Sequence, residues 1–599
     1  MFTILSNKTN KRILAGICLL PVCISLSGCG KFSLQKQLDP NSATAKKQQQ
    51  FFDTLTDEIF RKEVQSDSIT LNYTLSNPED YGITDFTPTF GEYGLEASKK
   101  QLAYAENVNA QLDQFDYNCL TEEQQLTYDV LKDYYAVSDH EEDYNYYGEA
   151  LSSATGMQAQ LPTLLSEYNI KDTDDIEDYL QLLSVVDEYF VQISDYEKEK
   201  SEAGLFMSDK NADNIISQCK DFIKQPKDNL LIKTFNEKVE HFDWLSKEEK
   251  TIYKKKNKKA ILENVIPAYE TLITTLTELK GTGTYEGGIG NLPKGKAFYE
   301  EMAQATTGSD MTIKEMKKRL ETAQKDAIKV VASAETAYNK DHDTDIYEEY
   351  IEMKYPKEDP DEIVPYLEQE SQEDFPALED VNYTIKYVDE SLEDYVSPAF
   401  YLTPPLDNFT ENSIYINGSK ENGAQNLFPT LAHEGYPGHL LQTVYYEQQK
   451  PAPIRTLLNN GGYSEGWATY CELYSFSMAG LDKNLADYAK AYEEFNLCMY
   501  ATIDIGVNYD CWSKTDLVDY LSNYGITDTE VADSIYDIVV DDPGNYLQYV
   551  IGYFEMKDLY TKAEKSAGKQ FDIKEFHTFL LDVGPAPFSI IEERMEDVF

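Results

Sequence analysis

The feature that most constrains this chain is a pair of histidines, His433 and His439, with a proline and a glycine between them. At about 100° per residue, an undistorted α-helix would point two side chains six residues apart roughly 120° away from each other. Pro437 removes a helical hydrogen bond, and Gly438 tolerates unusual backbone dihedrals. The stretch is therefore predicted to contain a helix break near Pro437 that turns His439 back towards His433.

The residue types around these histidines are those of a metal-dependent hydrolase. Neutral imidazoles bind zinc well, and a nearby carboxylate can take a proton from water. Glu434 follows the first histidine and is the predicted general base. Two histidines are too few for a stable catalytic zinc, so Glu465, at the start of a helical segment, is the predicted third ligand. Glu472 lies two turns further on the same face, as a supporting group or as a replacement ligand.

An alternative interpretation needs no metal. The same stretch could form a proline–glycine turn between two helices whose histidines are satisfied within the core. The adjacent glutamate and the glutamate-bearing segment that follows favour the metal site, with one zinc ion as its cofactor.

The first residues resemble a bacterial lipoprotein signal peptide, assigned to residues 1–28. A basic start precedes an apolar run over 13–26, which is short for a membrane span. The run ends in Leu-Ser-Gly-Cys, which resembles a lipobox with Cys29 as the lipid attachment site. We expect a palmitoylated lipoprotein on the outer face of the cytoplasmic membrane, with a flexible spacer at 29–50. The alternative is an ordinary secretory signal with an incidental cysteine.

Composition excludes several classes of function. The formal net charge of −53 would repel nucleic acid along the whole surface and disfavours broad adhesion to anionic lipid. Membrane contact is therefore expected only through the lipid anchor. The five cysteines after Cys29 are scattered without a CxxC pair, which indicates neither a disulfide framework nor a thiolate zinc site.

The periodicity of apolar residues predicts a mainly α-helical fold. An N-terminal helical region at 51–280 is followed by a connection at 281–295, which holds six glycines, and by a C-terminal catalytic region at 296–599. Alternating patterns near 383–388, 399–403 and 413–417 predict a small antiparallel β-sheet near the active site. Such a sheet could bind an extended peptide or only cover the helix.

Three motifs together resemble one bacterial family. They are His-Glu-Gly-Tyr-Pro-Gly-His, the following Glu-Gly-Trp-Ala-Thr-Tyr-Cys-Glu, and the stretch from Pro543 to Gly552. The family is called domain of unknown function 885 (DUF885), and the resemblance covers most of residues 50–599. It is grouped with the thermolysin-like, or gluzincin, zinc metallopeptidases. The resemblance implies a gluzincin-like architecture with a central cleft, zinc on His433, His439 and Glu465, and Glu434 as the base.

The chain departs from the family pattern on one segment. Where the resemblance implies an arginine and, further on, a histidine, the sequence runs from Ala501 to Asn508. If the family residues grip substrate, the specificity of this chain differs.

The sequence thus predicts a membrane-anchored, extracytoplasmic zinc metallopeptidase that hydrolyses peptide bonds. Tyr549 is the predicted donor to the developing oxyanion. His577 is a second candidate donor, although core packing explains it equally well. The alternatives are a catalytically degenerate peptide- or solute-binding lipoprotein and a structural or adhesion protein. Stoichiometric metal would distinguish the enzyme from both.

Overall fold

The computed structural model describes residues 41–138, 141–153, 155–285, 287–388, 393, 397–419 and 427–599. The predicted signal peptide at 1–28 and the lipid attachment site Cys29 lie outside the described residues. The spacer predicted at 29–50 is wrong in its last part, because a helix already begins at Ala43. Ser42 accepts a hydrogen bond from the Ala45 amide as the N-cap, and the alanine, lysine and glutamine residues that follow favour helix.

Helices make up most of the described chain. Before the glycine-rich connection they are α1 (Ala43–Val64), α2 (Ser68–Thr74), α3 (Leu95–Leu112), α4 (Glu122–Tyr134), α5 (Met157–Glu167), α6 (Thr173–Leu183), α7 (Val186–Glu202), α8 (Asp209–Ile223), α9 (Leu230–His241), α10 (Lys247–Ala260) and α11 (Ile266–Leu279). A π-helical turn, Ile261–Val265, joins α10 to α11 just before Pro267.

After the connection the helices are α12 (Gly295–Thr307), α13 (Ile313–Asp341), α14 (Ile346–Ile351), α15 (Pro360–Ser371), α16 (Leu427–Glu434), α17 (His439–Gln448), α18 (Pro453–Leu457), α19 (Gly461–Met478), α20 (Lys483–Asn508), α21 (Lys514–Ser522), α22 (Thr529–Asp541), α23 (Asn545–Ala567), α24 (Ile573–Val583) and α25 (Phe588–Met595). Short 3₁₀ turns lie at Pro78–Tyr81, Tyr117–Cys119, Glu141–Tyr144, Pro226–Asp228, Ile289–Asn291 and Gly568–Gln570. The mainly helical prediction is confirmed.

The sheet is small and mixed. Its strands β1 (Asn382–Tyr387), β2 (Ala399–Leu402) and β3 (Glu411–Ile416) stand in the order β1-β3-β2. β3 pairs antiparallel with β2 but parallel with β1, so the purely antiparallel prediction is wrong. Side-chain alternation is the same in both kinds of pairing, and the long connection from β1 to β3 permits a parallel return.

The hydrophobic core joins distant parts of the chain. One cluster combines Phe52 of α1 and Leu131 of α4 with Leu431 and Trp467 from the C-terminal half. A second cluster lies within residues 69–276. The first cluster therefore contains residues from both sides of the connection at 281–295.

Two glycines set the distance between the helices that carry the candidate site. A Cβ on Gly466 of α19 would lie 2.4 Å from the carbonyl carbon of Gly552 on α23. Only glycine permits this backbone approach, which brings α19 and α23 into direct contact.

Within the described residues, no helix is both long and apolar enough to cross a membrane.

Candidate metal centre

The predicted helix break is present between the two histidines. α16 ends at Glu434 and α17 begins at His439. The residues between them form a turn in which the Tyr436–Pro437 peptide bond is cis. A Cβ on Gly438 would lie 1.8 Å from the His433 carbonyl oxygen, so the turn passes close against the end of α16. Because of the break, α17 begins at His439 and does not continue the axis of α16.

Side chains of α19 hold this turn in place. The Trp467 indole N–H donates to the Pro437 carbonyl oxygen at 3.0 Å, and the Cys471 thiol donates to the same oxygen at 3.3 Å. Both side chains are fully buried. The turn is therefore fixed to the helix that carries Glu465.

The structure brings the three predicted ligands together. The Nε2 atoms of His433 and His439 each lie 3.5 Å from Oε2 of Glu465. The two imidazole ring centroids are 4.9 Å apart. One nitrogen or oxygen from each residue lies within 4.8 Å of the others. The predicted convergence is confirmed, while the role of these residues as zinc ligands stays a prediction.

Glycines at the start of α19 position Glu465. A Cβ on Gly462 would lie 1.9 Å from the Thr307 carbonyl oxygen at the end of α12. Asn460 caps the helix by accepting a hydrogen bond from the Tyr463 amide. The close approach of α12 and α23 buries Glu465, which is 3 % exposed.

The electrostatics of the group favour a positive charge at its centre. Burial alone would lower the pKa of His433, but hydrogen bonds to Glu465 and Glu472 raise it to about 10. Burial would raise the pKa of Glu465, but the two imidazoles hold it well below its ordinary value. A divalent cation bound among these groups would supply this positive charge. The donor set therefore fits a metal ion.

Glu472 lies behind His433. Its Oε2 is 3.0 Å from Nδ1 of His433, on the ring side away from Glu465. A carboxylate in this place favours a proton on Nδ1, which would make the lone pair of Nε2 available to a metal ion. Of the two predicted roles for Glu472, the structure supports the supporting group rather than the replacement ligand.

Glu434 lies at the end of α16, next to the sheet. Its Oε2 accepts a hydrogen bond from the Tyr401 amide of β2 at 2.9 Å, and the residue is 4 % exposed. Glu434 and His439 line the same cavity. This contact fixes the orientation of the predicted base. The sequence predicted a sheet nearby but gave no signal for the hydrogen bond, which links residues 33 positions apart.

Tyr549 on α23 also reaches the group. Its ring lies 6.3 Å from that of His433, at an interplanar angle of 27°. Burial, followed by the carboxylates of Glu465 and Glu434, raises the pKa of Tyr549 well above its ordinary value. The phenol therefore keeps its proton and can act as a hydrogen-bond donor.

His577 belongs to the core instead. Its Nδ1 lies 2.7 Å from the Asp374 carbonyl oxygen and its Nε2 lies 3.0 Å from the Tyr470 hydroxyl. Burial lowers the pKa of His577 to about 4. Both ring nitrogens have partners away from the three candidate ligands, so the structure supports the core interpretation of this residue.

The segment from Ala501 to Asn508 is structural. Asn508 donates to the Val539 carbonyl oxygen at 2.9 Å and to Oδ1 of Asp504 at 3.1 Å. The Asp504 carboxylate in turn accepts hydrogen bonds from the amide of Gly544, the N-cap residue of α23. This buried network fixes the start of the helix that carries Tyr549, a role that the sequence pattern did not indicate.

Residues 79–595 match the family model described as bacterial protein of unknown function (DUF885). The chain belongs to this family. The DUF885 assignment confirms the predicted resemblance over most of the sequence.

Two solved structures share the fold of this DUF885 chain. One, described as "the putative lipoprotein from Colwellia psychrerythraea", has a TM-score of 0.79 at 18 % identity and covers 92 % of this chain and 99 % of its own. Another, described as a "putative lipoprotein of unknown function" from Shewanella oneidensis, has a TM-score of 0.61 at 18 % identity. The match covers 93 % of this chain and 100 % of the Shewanella chain. No curated protein matches the chain.

Proposed function

We propose that this DUF885 protein is a zinc-dependent peptidase of gluzincin-like architecture. The observation that carries the proposal is the convergence of His433, His439 and Glu465, with Glu434 beside them at the end of α16. Two imidazoles, a ligating carboxylate and a second carboxylate as base form the donor set of zinc peptidases. His433 and His439 through Nε2, and Glu465 through its carboxylate, would hold the ion.

The residues of the chain divide the chemistry between them. A bound zinc ion supplies Lewis acidity, which polarises a carbonyl group and makes water more acidic. Glu434 takes the proton of the attacking water and passes it to the leaving amine. The Tyr401 amide holds the Glu434 carboxylate in orientation for this transfer. Tyr549 donates a hydrogen bond to the oxygen on which negative charge develops.

The position of β2 supports an extended peptide as substrate. β2 is an edge strand of the described sheet, and its Tyr401 amide faces Glu434. A peptide that adds to this edge as a further strand would run past the base. Such a backbone-directed contact selects extended chains of many sequences.

The predicted lipid anchor completes the proposal. With Cys29 acylated, the enzyme would act on peptides at the outer face of the cytoplasmic membrane. Mass spectrometry of the membrane fraction would show the acyl groups on an N-terminal Cys29 peptide. A Cys29→Ser variant should be released from the membrane, and its retention there would contradict the anchor.

Metal analysis of the purified protein is the first test. We expect about one zinc per chain, removable by a chelator, with loss of cleavage of a mixed peptide library. Glu434→Gln should keep the zinc and lose the cleavage, whereas the exposed control Glu379→Gln should keep both. Wild-type protein without stoichiometric metal, or normal cleavage by Glu434→Gln, would overturn the mechanism. Retained peptides without any turnover would indicate the binding-protein alternative.

A further inference from the structure

A cavity of about 140 Å³ opens beside the candidate metal centre. Glu434 and His439 line one part of it, and Glu447 lines another. His439 and Glu447 lie on the same helix, α17, eight residues or about 12 Å apart at 1.5 Å per residue. A cavity of roughly 150 Å³ accommodates a benzene molecule. The size therefore suits one amino-acid side chain next to the base.

The walls of this cavity are largely apolar and aromatic. The hydroxyl of Tyr73 donates to the Leu164 carbonyl oxygen at 2.9 Å, and that of Tyr463 donates to the Leu580 carbonyl oxygen at 2.9 Å. Both hydroxyls are thus engaged outside the cavity, which leaves the rings as its lining. Leu402, Leu406, Tyr446 and Leu457 add further apolar surface. Such walls pack well against a chain of methylene groups.

The carboxyl group of Glu447 differs from two neighbouring polar side chains of the lining, Ser464 and Gln442. Ser464 donates to Oδ1 of Asn459 at 2.6 Å, and Gln442 donates to the Tyr463 carbonyl oxygen at 3.4 Å. Among the hydrogen bonds and ion pairs of the described chain, none involves the Glu447 carboxyl group. Burial raises its pKa to about 8. A carboxyl group in an aromatic cavity without a counter-charge is suited to receive one from a ligand.

We propose that this cavity is a substrate subsite for an aliphatic side chain ending in a cation, as in lysine or arginine, and that Glu447 is its specificity determinant. The proposal rests on the proposed peptidase function for the identity of the substrate. The stem of the side chain lies along the tyrosine and leucine walls, and the charged head forms an ion pair with Glu447. A cationic head favours the ionised form of the Glu447 carboxyl group and pairs with it, whereas beside a neutral side chain the carboxyl group keeps its proton and no ion pair forms.

Calorimetric titration of the full mature chain tests the subsite without requiring hydrolysis. The probes are Nα-acetyl-lysine methylamide and its neutral counterpart Nα-acetyl-norleucine methylamide. We expect the lysine probe to bind at least about tenfold more tightly than the norleucine probe, which is the gain expected from one charge-assisted hydrogen bond. Glu447→Gln should remove that preference. Asp582→Asn, which removes a carboxylate bonded to Tyr445 of α17 outside the cavity, should leave it unchanged.

Three results would overturn the proposal. The first is that wild type binds the norleucine probe as tightly as the lysine probe or more tightly. The second is that the preference for lysine survives in Glu447→Gln. The third is that norleucine methylamide with a free α-amine gains as much affinity over the acetylated norleucine probe as the lysine probe does. The last result would place an amino terminus, not a side chain, at Glu447. If Glu447→Gln fails to fold by circular dichroism, Glu447→Asp replaces it and should weaken the preference while keeping its sign.

A parallel library digest separates this proposal from the proposed function. Cleavage that shows no enrichment of lysine or arginine around the cut, in wild type, would contradict the subsite and leave the peptidase intact. If no peptide is cleaved but the lysine probe binds in a Glu447-dependent way, the result would contradict the peptidase function and leave the subsite intact.

Discussion

Replacing Gly438 by alanine should separate the two histidines without altering any candidate ligand. The new Cβ would lie 1.8 Å from the His433 carbonyl oxygen and 2.5 Å from that of Ala432, both backbone atoms. Real Cβ atoms keep at least 3.0 Å from such neighbours, so the backbone must open by about 1.2 Å. The turn between α16 and α17 must absorb that movement, since the Trp467 indole of α19 holds Pro437 by a hydrogen bond.

A shift of this size is large for a metal site. Ligating constellations must be held to about 0.5 Å, so His439 and His433 would no longer share one ion with Glu465. We expect zinc affinity, measured by competition with a chromogenic chelator, to fall by at least about tenfold. Overpacking of the turn should also lower the free energy of unfolding by about 1–3 kcal/mol.

The matched control is Gly148→Ala, because the nearest atom to a Cβ at Gly148 is the Tyr196 hydroxyl oxygen at 3.9 Å. This variant should bind zinc as wild type does. If Gly438→Ala folds and binds zinc with unchanged affinity, the close approach at Gly438 does not set the histidine geometry, and the reasoning fails.

Three further predictions follow from the site and its surroundings. Glu465→Gln should reduce the zinc content to near zero in elemental analysis, because the remaining pair of imidazoles lacks an anionic ligand, and a stoichiometric content would contradict its role. Glu472→Ala should weaken zinc binding by about 10- to 100-fold without abolishing it, since it removes the hydrogen bond that orients His433; unchanged affinity would argue against that role. The pKa of His577 falls from 6.5 to about 4 on burial, so the folded protein should lose about 3 kcal/mol of stability as the pH drops from above 6.5 to 4. Urea unfolding should show a smaller loss over that range in His577→Gln, and an identical pH profile would exclude His577 as the source.

The local features of the site were predictable from the sequence because they are encoded by neighbouring residues. Pro437 and Gly438 indicated the break between α16 and α17 through their backbone chemistry. The strands near 383–388, 399–403 and 413–417 followed from alternating side chains, and their observed bounds differ by only a few residues.

The tertiary arrangement was not predictable in the same way. The parallel pairing of β1 with β3 leaves no trace in the alternation of either strand. The hydrogen bond from the Tyr401 amide to Glu434 depends on how the sheet packs against α16. The hydrogen bonds of Asn508, which help to fix the start of α23, cannot be predicted from the periodicity of apolar residues. The early start of α1 was missed because a polar composition is compatible with both helix and spacer.

The first helix has a consequence for how the chain is made. Phe52, Leu55 and Ile59 of α1 are buried, and α1 packs against α18, almost 400 residues later in the sequence. At roughly 5–20 residues per second, a ribosome needs about 20–80 s to pass from one to the other. During that interval the apolar side of α1 has no native partner from α18. The part of the α1 surface that α18 covers in the folded protein is therefore exposed on the nascent or translocating chain until residues 453–457 have been made.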